Sequence, residues 1–284
     1  VLGSRGLGDV YKRQVQKKCF ELGISDFIAK PFNNAIIKQR VKNTAEFFDY
    51  KLKLEDKVAE QTNVLRKAYR TLQIQAEHLK KKNQQIIEML GTVVEYRSTE
   101  SGEHIQRVKG YTRILAEAVM EDYPEYELTK EKIDIIESVS ALHDIGKIAI
   151  PDRILLKPGR LTSEEFEYMK SHTIRGCELL DSIKEDWNDD TMKYAYEICR
   201  HHHERYDGKG YPDGLVGDEI PICAQLVSVA DVYDALVNER CYKDAFSKED
   251  AYRMIITGEC GVFSPKLMES FRKVRPCLLY TSDA

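Results

Sequence analysis

Seven histidines occur among the 284 residues, and five of them stand beside carboxylates or on apolar helical faces. Glu100 and His104 in "ESGEHIQRV" are four apart, which puts both on one helical face that Val108, Tyr111 and Leu115 continue toward a core. His143 and Asp144 in "ALHDIGKIAIPD" close an apolar helical run. Neighbouring residues diverge by about 100° around a helix, yet at its end both can reach a metal, with the carboxylate free to bridge two ions. His172 lies on the apolar face of Phe166, Met169 and Leu179, with Gly176 one turn later leaving room. His202 and His203 follow the face of Met192, Ala195 and Cys199, and Asp231 sits in the buried-looking helix "SVADVYDAL". Singly, each has an ordinary explanation: a satisfied core histidine, a solvated Glu100–His104 pair, an Asp231 bonded to a backbone amide. Jointly they do not, because burying five imidazoles and three carboxylates without a common partner is very costly. A polynuclear metal cluster satisfies them together. All eight donors are nitrogen or oxygen, which excludes thiolate sites and suits iron, manganese, zinc or cobalt without choosing among them. Two bridged ions provide a nucleophile at neutral pH and clamp a phosphate's oxygens, so phosphodiester hydrolysis is the natural chemistry.

The elements that must position these residues are helices. From 91 to 276 the pattern is helical almost throughout, with a capping box at Thr162 and Glu165 and with Pro221 at the first turn of another helix. No alternating strand pattern of useful length occurs, so an all-α domain is expected over 91–276. Residues 45–90 contain neither proline nor glycine, and Val58, Leu65, Leu72, Leu79 and Ile86 recur every seven residues, with Thr62, Tyr69, Ala76, Asn83 and Leu90 four later. That seam predicts a dimerising coiled coil over 48–90, against the alternative of one long helix packed on its own domain. Upstream, "KKCFELG" reads as a helix end capped by Gly23, followed by a strand "DFIAKPF" and a helix beginning near Asn33.

Two resemblances sharpen this. The strand ending in Lys30 and Pro31 resembles the last strand of a response-regulator receiver domain, whose lysine contacts the phosphoryl group and whose proline follows in cis. Residues 15–47 would then be the C-terminal fragment of an α/β receiver, without its acceptor aspartate. "HDIGK" followed by "HHERYDGKGYP" and "VADVYDALVNERCYK" resembles the HD-GYP phosphodiesterases, a subgroup of the HD superfamily that hydrolyses cyclic di-GMP. The resemblance implies metal ligands at Glu100, His104, His143, Asp144, His172, His202, His203 and Asp231, holding two or three divalent ions, iron or manganese foremost. It implies that Lys147 approaches the scissile phosphate beside the catalytic Asp144, and that Tyr211, Arg240 and Lys243 hold guanine and phosphates. Asp234 is expected to orient a ligand, Arg205 and Asp207 to be structural, and His201 to be exposed. One departure stands out: many relatives carry aspartate where Ser98 stands. The spacing of Arg240 and Lys243 fits convergence on one anion. Gly208 and Gly210 permit the tight turn that carries Tyr211.

Composition limits the rest. With 43 basic and 47 acidic residues the formal charge is −4, which gives no footprint for DNA. No apolar run approaches the roughly 20 residues that span a bilayer, no signal-peptide pattern opens the chain, and a cytoplasmic location is expected. The seven cysteines never form C-x-x-C, which argues for scattered reduced thiols. The opening "SRGLGDVYKRQ" and closing "CLLYTSDA" resemble translated sequencing-adaptor sequence, so residues 1–14 and 277–284 are set aside as artefact. The expected whole is a response-regulator phosphodiesterase that opens cyclic di-GMP to pGpG and further to GMP, works as a homodimer and answers to a cognate histidine kinase. Its rivals are an HD hydrolase of another cyclic dinucleotide and a non-catalytic sensor of cyclic di-GMP or of a partner protein.

Overall fold

A computed structural model describes residues 13–24, 33–98, 102–183, 187, 189–239 and 245–280. The expected strand with Lys30 and Pro31 lies outside the described residues, as do Glu100, Arg240 and Lys243. The chain divides into two units, Val1–Ala76 and Glu77–Ala284. In the first, helix α1 (residues 13–21) ends at Gly23, whose φ of +83° suits a residue without a Cβ. Helix α2 (Asn34–Arg97), whose residues from Glu77 onward belong to the second unit, starts where the Asn33 side chain accepts the Ala35 N–H at 2.9 Å. With 64 residues and no interruption, α2 leaves its heptad positions Val58, Leu65, Leu72, Leu79 and Ile86 between 49 % and 70 % exposed. Only its final turns turn inward, at Ile87, Gly91, Val94 and Glu95.

The second unit is helical, and no strand occurs among its described residues. Its order is α3 (Gly102–Asp122), α4 (Lys130–Ser140), a 3-10 turn (Ile145–Ala149), α5 (Asp152–Leu155), α6 (Ser163–Lys170), α7 (His172–Asp181), α8 (Asp189–His201), α9 (Ile222–Val237), α10 (Lys248–Thr257), α11 (Pro265–Lys273) and α12 (Arg275–Tyr280). Helix α9 is buried on nearly every side from Cys223 to Ala230, so it forms the centre, with α3 and α8 packed on it. Helix α3 contributes the stripe Val108, Tyr111, Leu115 and Val119, whose spacing keeps it on one face against α4 and α9. Thr162 and Glu165 close the expected capping box reciprocally at the start of α6. At the far end, Leu278 of α12 joins the hydrophobic core. No described helix is long and apolar enough to cross a membrane.

Candidate metal centre

Three helix ends deliver the imidazoles. His143 does not close a helix as expected: α4 stops at Ser140, and the chain tightens through i to i+3 bonds, His143 N to Ser140 O and Ile145 N to Leu142 O, into the 3-10 turn. His143 and Asp144 therefore occupy the bend between two helical axes, where adjacent side chains can converge. His172 opens α7, and His202 and His203 stand immediately past the end of α8. His104 lies in the first turn of α3. The bend is held against α7 by Gly146, since a Cβ there would lie 1.8 Å from the His172 carbonyl oxygen. Gly176 likewise admits the Cys199 sulfur, 2.2 Å from where its Cβ would sit.

Four imidazoles are anchored through the same nitrogen. Nδ1 of His104 meets Asp234 Oδ2 at 2.7 Å, that of His143 meets Ser140 O at 2.8 Å, that of His172 meets Met169 O at 2.8 Å, and that of His202 meets Ile198 O at 3.0 Å. Carbonyls and carboxylates only accept, so Nδ1 is the donor in each and Nε2 is the atom left for a ligand. The Nε2 atoms of His143, His172 and His202 and Oδ1 of Asp144 are buried and make no well-directed hydrogen bond. They nevertheless surround one carboxylate: Asp144 Oδ2 lies 3.2 Å from His143 Nε2, and Oδ1 lies 3.2 Å from His172 Nε2 and 3.7 Å from His202 Nε2. Two donors bound to one ion at about 2.0–2.2 Å stand roughly 3–3.5 Å apart, so this spacing fits a shared metal.

The donors form two groups. Asp144, His172, His202 and His203 bring their donor atoms within 4.8 Å of one another, and so do Glu95, His104 and His143. Asp231 Oδ1 joins the second group, 3.7 Å from His104 Nε2. Glu95 is a residue that sequence reasoning missed. It is 1 % exposed, whereas the expected ligand Glu100 falls outside the described residues. Asp234, expected to orient a ligand, accepts from His104 Nδ1 through one oxygen, and Arg107 Nε donates to the other at 2.6 Å.

Charge is tightly coupled here. Burial alone would raise the Asp144 carboxyl, but Lys147 and His143 outweigh it and hold Asp144 well below the usual range. Burial pulls His143 down, but the Asp144 carboxylate overrides it and pushes that imidazole up to about 10. For His203, burial and the neighbouring His202 and His172 push the pKa well down. Lys147 Nζ sits 2.6 Å from Asp144 Oδ2.

The glycine-rich turn folds back over the histidines. Tyr211 places its ring 4.8 Å from that of His203, inclined by 32°, and its N–H on the His203 carbonyl. Gly210 allows this, because a Cβ there would meet Arg205 N at 2.3 Å. Glu204, also missed from the sequence, is buried and accepts the backbone N–H groups of Asp213, Gly214 and Leu215 at 2.7, 3.1 and 3.1 Å. Arg205 and Asp207 pair at 2.8 Å within the turn. His201 is not exposed as expected: its side chain is 13 % accessible, because the returning turn sets Asp213 3.5 Å away.

The family profile described as "HD domain" matches residues 68–260. A probable cyclic di-GMP phosphodiesterase of Vibrio cholerae is 36 % identical over 259 residues, covering 89 % of this chain and 56 % of that protein. The cyclic di-GMP phosphodiesterase response regulator RpfG of Xanthomonas campestris pv. campestris is 33 % identical over 261 residues, covering 92 % of this chain and 64 % of that protein. The chain thus spans between half and two thirds of the length of these relatives. A solved cyclic GMP-AMP specific phosphodiesterase of V. cholerae matches with a TM-score of 0.51 at 17 % identity, over 71 % of this chain and 51 % of that one, a likeness of fold.

Proposed function

Because the chain belongs to the HD domain family, we propose that its helical domain is a metal-dependent phosphodiesterase that opens cyclic di-GMP to linear pGpG and, by a second cut, to GMP. The observation that carries this reading is the ring of Nδ1-anchored imidazoles whose Nε2 atoms converge, unsatisfied, on Asp144. The relatives named for cyclic di-GMP support the substrate. His143, His172, His202, His203 and Asp144, with His104, Asp231 and Glu100, would hold two or three divalent ions, iron or manganese foremost. When bound, such ions supply a nucleophile at neutral pH and neutralise charge on the phosphate. Water adds to phosphorus, the bond to one ribose 3′ oxygen breaks, and that oxygen takes up a proton. The Lys147 ammonium balances charge that develops on the phosphate oxygens. Tyr211 offers a ring face to guanine, and Arg240 and Lys243 add a fork and a point charge for base and phosphates.

The same reading makes this an output domain of a cytoplasmic response regulator. Residues 15–47 would end a receiver domain addressed by a histidine kinase, and 48–90 would pair two copies. The relative named a response regulator supports that arrangement. The test is cyclic di-GMP turnover by the purified chain, loaded anaerobically with iron(II) or manganese(II), resolving pGpG from GMP. Metal-dependent turnover that vanishes in Asp144→Asn is expected. Preferred hydrolysis of 3′3′-cyclic GMP-AMP in competition would shift the substrate to another cyclic dinucleotide. Bound metal and bound nucleotide without turnover would make the domain a sensor.

A further inference from the structure

The last turn of α2 grips the segment that carries Lys147. Arg97 donates through Nη1 to the carbonyl oxygens of Lys147 at 3.0 Å and Ile148 at 2.8 Å. Through Nη2 it reaches Ile150 O at 2.7 Å and Asp152 Oδ1 at 2.6 Å, and through Nε it meets the same Asp152 oxygen at 3.1 Å. One guanidinium thus gathers the carbonyls of Lys147, Ile148 and Ile150 and the first residue of α5. Two residues earlier, the buried Glu95 sets Oε1 3.6 Å from Lys147 Nζ, an ammonium that also lies 2.6 Å from Asp144 Oδ2. Ser98 Oγ stands beside the same residue, 2.9 Å from the Glu95 carbonyl oxygen and 3.3 Å from Glu95 Oε2.

Geometry explains why Lys147 needs such support. It lies in a 3-10 turn of five residues, too short to hold itself rigidly. Gly146 fixes one side of the turn against α7, while Ile148 on the other side is 49 % exposed and packs little. On that open side Arg97 supplies the restraint. A planar fork that satisfies several carbonyls fixes their relative positions in a way a flexible ammonium does not.

We propose that Arg97 and Glu95 are positioning residues for Lys147, Arg97 by fixing its backbone and Glu95 by aiming its ammonium. The proposal rests on the reading of Lys147 as the phosphate-contacting lysine, and its consequences for rate follow from that role. Displacement of a charged group by about 1 Å can cost about a hundredfold in rate.

The test uses the full chain. In Arg97→Gln, amide hydrogen exchange over 145–152 should accelerate with metal content unchanged, and kcat for cyclic di-GMP should fall about ten- to a hundredfold, with KM moving less than threefold. Arg97→Lys should not restore kcat. In a Lys147→Met background, Arg97→Gln should cost less than a further twofold. Glu95→Gln should lower kcat for cyclic di-GMP, and in the Lys147→Met background it should cost less than a further twofold. Unchanged exchange over 145–152 in Arg97→Gln, or an Arg97→Gln or Glu95→Gln effect undiminished without Lys147, would overturn the proposal. If Arg97→Gln does not fold, Asp152→Ala, which removes one of the Arg97 partners, must show the faster exchange. Exchange needs no turnover, so a wild-type chain that hydrolyses nothing would refute the proposed function while exchange over 145–152 still decides the Arg97 clamp.

Discussion

At the residue scale, the centre is governed by competition between protons and metal for the same atoms. Asp144 pushes His143 up to about 10, so near neutral pH its Nε2 carries a proton that an incoming ion must displace. A raised pKa means the proton is held at all lower pH values, and metal affinity therefore rises with pH. The His143 proton alone gives about a tenfold gain per pH unit, or about a hundredfold in Kd for manganese(II) between about pH 6 and about pH 8, and His104, which burial pulls down but Asp234 and Asp231 raise on balance, steepens that slope. Competition titrations with a metal indicator would measure it, and a flat profile would show that His143 is not a ligand. His202→Ala should remove a buried donor from the Asp144 group and lower bound metal per chain, read by elemental analysis of protein prepared identically to wild type. Much of this was legible in the sequence, because the stripe His104, Val108, Tyr111, Leu115 keeps helical register and all four residues are buried. Glu95 was not legible. It sits nine positions before His104, and α2 ends at Arg97 before α3 begins at Gly102, so no single helical period relates the two residues.

Elements, in turn, set the distances between these atoms. The 3-10 turn after α4 and the start of α7 touch at Gly146, whose added Cβ would also lie 2.5 Å from Gly176 N. Gly146→Ala must push α7 away and carry His172 from Asp144. A cost of about 1–3 kcal/mol in denaturant unfolding of metal-free protein is expected, together with reduced metal per chain. Stability equal to wild type would show that the two elements separate easily. The turn over the histidines depends on Glu204 in the same manner. Its two carboxylate oxygens serve three N–H groups, whereas an amide has one acceptor oxygen and would turn a donor toward another donor. Glu204→Gln should cost about 1–3 kcal/mol and speed hydrogen exchange at 213–215, with metal content retained. The sequence announced the turn through Gly208 and Gly210, but not that it folds back. The fold-back depends on a carboxylate reaching residues nine to eleven positions away, and periodicity does not encode such a contact. That is also why His201 read as exposed.

For the whole molecule, the question is what the long helix does with its apolar stripe. Val58, Leu65, Leu72, Leu79 and Ile86 repeat at seven and remain between 49 % and 70 % exposed, an unusual cost for a single chain in water. A second copy in parallel register would bury each against its equivalent, with the polar Thr62 and Asn83 in the same seam specifying alignment. The sequence made this visible because heptad spacing is local, while the pairing itself is a property of two chains. Burying a leucine is worth about 1.5–3 kcal/mol, so Leu65→Glu with Leu72→Glu removes four such side chains per dimer, about 6–12 kcal/mol. Sedimentation equilibrium should show wild-type dimer and variant monomer at micromolar concentration, with metal per chain unchanged because neither residue is among the metal donors. A wild-type chain that sediments as a monomer at that concentration would remove the coiled coil from the proposed architecture and leave the phosphodiesterase reading untouched.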